Sequence, residues 1–505
     1  MDQALTTEYG VVPQRLLPRN TNTEIVYDVI IVGSGFGGGV LASQLADNGA
    51  KVLVLEAGSY LFPTHVGNLP RQLPIGQFDK NTWHIYQDFG VINYQNVDGS
   101  NFQGAQAFNL GGRSIFWGAL TPRQAQWQLQ SWPQTIADYL LTGGGYEAAE
   151  KRINITAPPA SAFQTQSTSF LDATISGFVA ADAPMAIEYV APAHWMVPTG
   201  LFSTADLLLE DYLRIAAPTP DRQLTINLNT AVWTVTTNAG KATGVHCFDL
   251  LDQVQRTYTG NVVVLSAGTI ESAKIALQSG LNDPANLIGR GITDHMIRYR
   301  HFTVPPGTQD STTTDSAKVV LQHPTATLDT HAFDIIVELG TELNQGRYVD
   351  PNDLAADENI RNGWMICEIV FQYYADLVEG NFVQLSGDDP ADPMSINMQP
   401  ATPSDALLAE ADQIAQDIFA AYKAEPVLGE GGWPALQVAN LGNVAHEVGT
   451  LRMTDGENGV VDTNLKFLAY DNLYACDNSV FPTSPAANPS LTLAALATRL
   501  AGQLG

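Results

Sequence analysis

Tyr27-Asp-Val-Ile-Ile-Val-Gly33-Ser-Gly35-Phe-Gly-Gly38 is the stretch that decides how this chain is read. The apolar run from Val29 to Val32 predicts a buried parallel strand leading straight into the glycines. Gly33 permits a tight turn, Gly35 lets backbone approach a pyrophosphate, and Gly38 lets the next helix pack on the strand. Phe36 and Gly37 complete the turn, and a helix expected over residues 39–47 aims its N-terminal amides at the phosphates. Asn48-Gly49 ends it, and Lys51-Val-Leu-Val-Leu55 reads as a second buried strand. Glu56, followed by Ala57, stands about 20 residues past the glycines, where an acid can bind ribose hydroxyls. A 2′-phosphate there would be repelled. A bare Gly-x-Gly-x-x-Gly is common, but here strand, glycines, helix, strand and acid follow in order within one βαβ-sized unit. The unit predicts a dinucleotide site, and NAD and FAD both satisfy it.

Outward from this unit, 505 residues exceed one ordinary core, so two domains or one elaborated domain are expected. Hydrophobic content of 45% with 15% charged residues describes an ordered globular protein. The net charge of −28, from 24 basic and 52 acidic residues, argues against a nucleic-acid groove or an anionic membrane surface. Cys247, Cys367 and Cys476 lie far apart without metal-ligand spacing and read as buried free thiols. Histidines and carboxylates show no metal spacing either, so no metal is expected. No basic leader with an apolar core and no apolar run of membrane-spanning length is seen, which makes the cytoplasm the expected location.

Residues 1–24 are polar and aperiodic, an arm expected to lie on the body. Residues 59–108, rich in aromatics, Asn, Gln and Gly, suggest long loops over a cofactor. Helices are expected over residues 204–216, 270–278 and 404–423 and from Ser490 onward, and strands over 224–227, 231–237 and 262–266. Residues 296–375 alternate apolar and polar positions, as in Trp364 to Tyr374, which predicts an antiparallel sheet. The expected fold is α/β, α+β overall. A discontinuous Rossmann-like domain with a parallel sheet comprises residues 25–155, 204–295 and 441–505. A substrate domain, on a largely antiparallel sheet with flanking helices, comprises 156–203 and 296–440.

Discontinuous elements extend the reading. They are the glycine loop with Glu56, Leu110-Gly111-Gly112 with Ser114, and Val262 to Ser272 with its Ala267-Gly268. Further on come Gly289 to His295, Ala445-His446-Glu-Val-Gly449-Thr450, Asp477 to Pro482, and Ala487-Asn488-Pro489-Ser-Leu-Thr492. Together they resemble the glucose-methanol-choline (GMC) flavoprotein oxidoreductases, in family order over almost the whole chain. Leu110 to Arg123 and Ala487 to Thr492 are most similar to the pyranose oxidase branch and its bacterial glycoside-oxidising relatives.

The resemblance implies FAD. Gly33, Gly35 and Gly38 would hold the pyrophosphate and Glu56 the adenosine ribose, with Val232 and Ala267 near the adenosine half. Asp477 and Asn478 would close over the pyrophosphate and ribityl chain. The segment Gly111, Gly112, Arg113, Ser114, Phe116, Trp117, Gly118 and Ala119 would pass beside the isoalloxazine, with Asn488, Pro489 and Ser490 completing the site. Fungal pyranose oxidases tether the flavin through a histidine immediately before the tryptophan. Phe116 stands there in this chain, so a non-covalent FAD is expected.

His446 is the expected base: a neutral imidazole takes the hydroxyl proton as hydride moves to flavin N5. Asn488 cannot take a proton, but its amide can donate to the developing alkoxide. His295 is read as structural. His65, His84, His194, His246, His301, His323 and His331 match no element. Trp364, Phe371, Tyr373 and Tyr374 read as sheet packing before they read as stacking faces for a substrate.

The implied reaction is oxidation of a hydroxyl, in a sugar or glycoside to the ketone, with O2 or a quinone-like acceptor. A primary or aryl alcohol is the nearest variant. An FAD-containing hydroxynitrile lyase, a non-catalytic flavin binder and an NAD-dependent dehydrogenase are the alternatives. Oligomeric state is left open.

Overall fold

The computed structural model describes residues 17, 19–62, 64–68, 91–155, 161–188, 200–215, 224–311, 315–340 and 349–505. Strand β1 (Val26–Val32), helix α1 (Phe36–Asp47) and strand β2 (Val52–Leu55) form the anticipated βαβ unit. Val52 to Leu55 are buried throughout, as expected of a parallel strand covered on both faces. β3 (Leu224–Asn227) joins in parallel at one edge. Beyond it in the chain come β4 (Thr230–Asn238), β5 (Lys241–Asp249) and β6 (Val254–Leu265), then helix α2 (Thr269–Gln278).

These strands make a seven-stranded sheet in the order β3-β2-β1-β6-β5-β4, with a short strand, Leu473–Ala475, paired in parallel to β6. The sheet is parallel as far as β6 and antiparallel beyond it. The parallel sheet is the one expected of this domain; its antiparallel extension through β5 was not anticipated. The cause is local: Ala239 and Gly240 both take positive φ, 48° and 78°, the conformation of a tight two-residue hairpin that forces β4 and β5 antiparallel.

The second sheet is antiparallel. It is built on β7 (Ile297–Val304), β8 (Ala317–Gln322), β9 (Phe333–Leu339) and β10 (Met365–Tyr373), in the order β7-β10-β9-β8. Val179–Asp182 closes one edge. Each strand alternates between two environments. Val319, Leu321, Ile335, Val337, Ile369 and Phe371 pack with helices Ala162–Thr174 and α3 (Asp405–Tyr422) in one core. Val320, Ile336 and Val370 join the core of the first sheet.

Ser404 caps α3 by accepting from the Leu407 amide, and Lys423 ends it in the left-handed conformation. The terminal helix α4 (Ser490–Leu504) starts where the sequence places it and packs on α1. The described part of the N-terminal arm lies against the first sheet. Arg19 pairs with Asp249 and Asp252, and the Asn20 amide donates to the Asn227 side chain. All three cysteines are buried and free. Among the described residues, no helix is long and apolar enough to cross a membrane.

Candidate active site

One elongated cavity, about 1870 Å³ with the solvent at its mouth included, runs between the two sheets. Its lining includes Glu56, Ala57 and Val232, the glycine turn with Ala267, Gly268, Asp477 and Asn478, and His446 with Asn488.

The glycine turn is shaped for a ligand. Gly33 has φ +98°, and a Cβ there would stand 2.4 Å from the Ser266 carbonyl oxygen, so only glycine fits. A Cβ on Gly35 would meet nothing within 4 Å, because that position faces the cavity. No side chain caps the first turn of α1, and Gly35, Phe36 and Gly37 line the wall. Its amides are therefore available to an anion. Gly268, at the start of α2, repeats the arrangement: no side-chain cap, and open space where a Cβ would be.

Hydrogen bonds knit the wall together. Glu56 accepts from the Ser34 amide and hydroxyl at 3.0 and 2.7 Å and from the Gly58 amide at 2.9 Å. Burial raises its pKa, and these donors pull the other way. The Ser34 hydroxyl also accepts from the Gly111 amide, joining the two glycine-rich elements. Asp477 accepts from the Gly268 amide, the Ser272 hydroxyl and the Ser479 amide. Arg113 donates to both oxygens of the buried Glu447, the neighbour of His446. Trp117 donates its indole N–H to the Phe202 carbonyl and meets Phe36 edge to face at 4.8 Å.

Most of the sequence-derived site residues lie on this wall: Gly112, Ser114, Phe116, Gly118 and Ser490 as well as those above. Four stand behind it. A Cβ on Gly38 would strike the Gly33 carbonyl, so this glycine serves helix-to-turn packing. Gly111 is held against Ala205, Ala119 is fully buried with its carbonyl taken by the Ala186 amide, and Pro489 caps α4. Phe116 has no atom that could bond a flavin and meets Phe62 edge to face.

His446 follows Ala445, whose φ of +60° is an uncommon conformation of the kind that collects at functional sites. Its Nδ1 is 2.9 Å from Nε2 of His295, and Nδ1 of His295 is 2.7 Å from the Pro485 carbonyl oxygen. The carbonyl only accepts, so Nδ1 of His295 carries the hydrogen and its Nε2 holds a lone pair. Burial pushes the His295 pKa down to about 4, which keeps the ring neutral. His446 must then donate from Nδ1, leaving the lone pair on Nε2. The Asn488 side-chain amide lies 3.4 Å from that nitrogen, a long contact, and Asn488 Oδ1 is buried without a partner among the described residues.

Sequence reading took His295 as structural, and its hydrogen bond to His446 was not foreseen. The two rings are 151 positions apart in the chain, so no spacing could reveal the pair. His65, buried, bonds the Trp117 carbonyl; His84 and His194 lie outside the described residues. Phe371 and Tyr373 pack on the far face of the second sheet. Sequence reading missed the residues this sheet turns to the cavity: Lys318, Ile336, Glu338 and Gln372. The signal was present as polar residues at alternate positions of an expected buried sheet. Among the described residues, no cluster of three or more His, Cys, Asp or Glu side chains is arranged to hold a metal.

Fold and site together define a protein of the dinucleotide-binding α/β class. Residues 209–297 and 378–497 match the amino- and carboxy-terminal GMC oxidoreductase domains, and 31–65 match an NAD(P)-binding Rossmann-like domain. The chain belongs to the GMC oxidoreductase family, whose members carry FAD.

A long-chain-alcohol oxidase of Arabidopsis thaliana is 41% identical over 109 residues, 21% of this chain and 13% of that enzyme. The match to the first curated relatives thus spans a small fraction of their length. A patulin synthase of Penicillium expansum is 23% identical over 97% of this chain and 92% of its own. Among solved structures, pyridoxine 4-oxidase from Mesorbium loti shares the fold with a TM-score of 0.63. It is 16% identical, over 94% of this chain and 99% of its own.

The residues present fit FAD. Cβ-free openings at Gly35 and Gly268, helix starts without a side-chain cap and the buried Asn478 Oδ1, which has no partner among the described residues, all border the cavity.

Proposed function

We propose that this chain is an FAD-dependent oxidoreductase that oxidises a CH–OH group, in a sugar or glycoside to the ketone. His446 is the base. The observation that carries this reading is the chain of hydrogen bonds from the Pro485 carbonyl through His295 to His446. It holds the lone pair of His446 Nε2 toward Asn488 and the cavity. A neutral imidazole so oriented takes the hydroxyl proton of the substrate. The Asn488 amide, now only loosely engaged, donates to the oxygen that develops negative charge. Bound FAD supplies the two-electron acceptor for the hydride of the same carbon. Gly35, Phe36, Gly37, Gly268, Asp477 and Asn478 would hold it, without a covalent bond at Phe116, and O2 or a quinone-type molecule would be the final acceptor.

A primary alcohol as substrate is a second reading, favoured by the likeness to long-chain-alcohol oxidase. The polar wall formed by Lys318, Glu338 and Gln372 supports the sugar or glycoside instead. Anaerobic mixing of the holoenzyme with sugars, glycosides, aryl alcohols and aliphatic alcohols tests both, with loss of flavin absorbance as readout. Reoxidation by O2 or by a quinone then identifies the acceptor. If no alcohol bleaches the flavin, or if His446→Ala bleaches as fast as the unmodified enzyme, the proposal fails.

A further inference from the structure

The inner face of the second sheet carries three successive rows of side chains, because residues directly opposite across antiparallel strands share a face. Asp334 of β9 and Gln372 of β10 form one row. Val320, Ile336 and Val370 form the next, and Lys318, Glu338 and Glu368 the third. The outer rows are four residues apart along β9, about 14 Å at the usual strand rise.

The first row is tied to the reacting centre. Gln128 donates to Asp334 and accepts from the Ala487 amide, the residue before Asn488. The third row carries the Lys318–Glu338 ion pair at 3.0 Å, with both side chains mostly withdrawn from solvent. Gln372, Ile336, Glu338 and Lys318 all line the cavity.

This face is costly unless it has a use. A buried ion pair adds little stability over well-packed apolar residues. A buried polar atom without a partner costs free energy, and Gln372 Oε1, 4% exposed as a residue, has none among the described residues; nor does Asp334 Oδ1.

We propose that these rows are a specificity wall for an elongated substrate. On the reading of the active site given above, the sugar ring lies at Gln372 and Asn488. A flat apolar aglycone lies along Ile336, and a hydrogen-bonding group at its far end reaches Lys318 and Glu338. Glu338 accepts from that group and Lys318 donates to it, so a phenol suits the pair.

The test measures equilibrium binding of three glucosides to the oxidised holoenzyme by calorimetry, which requires no turnover. They carry methyl, biphenyl-4-yl and 4′-hydroxybiphenyl-4-yl aglycones. The expected order of affinity is methyl weakest and hydroxybiphenyl tightest, with the distal hydroxyl contributing roughly tenfold or more, as for a hydrogen bond to a charged group. Lys318→Met combined with Glu338→Gln removes both charges together and should abolish the preference for the hydroxylated over the plain biphenyl glucoside. If that double variant does not fold with its flavin, Glu338→Gln alone should reduce the preference.

Equal binding of the two biphenyl glucosides by the unmodified enzyme overturns the proposal, as does a preference that survives the substitutions. Flavin bleaching is scored separately. Preferential binding without bleaching would refute the oxidation reading and leave the wall standing.

Discussion

Substitution of His295 by leucine removes the acceptor for the Nδ1–H of His446 while keeping an apolar side chain in a fully buried position. Two effects on flavin reduction follow. The lost hydrogen bond, about 1–1.5 kcal/mol net, is what selects the tautomer with its lone pair on Nε2. Since 1.36 kcal/mol is tenfold in rate, the limiting rate of flavin reduction should fall about tenfold.

The second effect is on pH. His295 is neutral above its pKa of about 4, so it stabilises protonated His446 more than neutral His446. A charge-assisted hydrogen bond is worth about twice a neutral one, a difference of about 1 kcal/mol. Removing it disfavours the protonated ring, and the rising limb of rate against pH should move to lower pH. His295→Gln restores an acceptor oxygen and should recover most of the rate. His446→Ala should lose about 10²–10⁴-fold, the usual range for a general base. The assay is stopped-flow flavin reduction across pH 5–9, with flavin content and thermal midpoint as folding controls. A His295→Leu enzyme that keeps its flavin, its rate and its pH limb would refute the relay.

Three further outcomes are expected. Gly33→Ala should misfold or lose stability, because its φ of +98° is strained for any side chain and its Cβ would lie 2.4 Å from the Ser266 carbonyl oxygen; Gly35→Val should fold yet bind less flavin, its side chain entering open cavity. Far-ultraviolet circular dichroism and flavin absorbance separate the two. Acid precipitation of the holoenzyme should leave the flavin in the supernatant, since Phe116 offers no tether; a yellow pellet would contradict that.

Stability should also fall on the alkaline side. Burial alone would lower the His301 pKa, but Glu368 and Glu430 outweigh it and raise the value to about 9. A raised folded-state pKa stabilises fully below the unfolded value near ~6.5 and is lost as pH rises through the folded one. The window is therefore roughly pH 6.5 to 9, at most about 3 kcal/mol, read as thermal midpoint against pH. His301→Gln should flatten the curve in that window, and an unchanged slope would count against the ion-paired histidine.

The glycine-turn part of the cavity was legible in the sequence because it is local. Val29 to Gly38 and Glu56 lie within one βαβ unit, where strand burial, turn geometry and helix polarity depend on neighbours a few residues away. Helix α3 was equally readable, from its amphipathic pattern. His446 and Asn488 could be named only through resemblance, since neither stands in a local pattern that requires a base.

What tertiary structure decided were pairings between distant segments. Val262 to Leu265 continue the parallel sheet beside β1, whereas the Ala239-Gly240 turn sets β4 antiparallel to β5. His295 joins His446 across 151 positions. Which alternate residues of the second sheet face the cavity depends on its packing: Phe371 and Tyr373 turn away and Gln372 turns in. A strand pattern shows that two faces exist. Only the packing of α3 against one of them determines that the other, with Lys318, Glu338 and Gln372, is the one turned to the cavity.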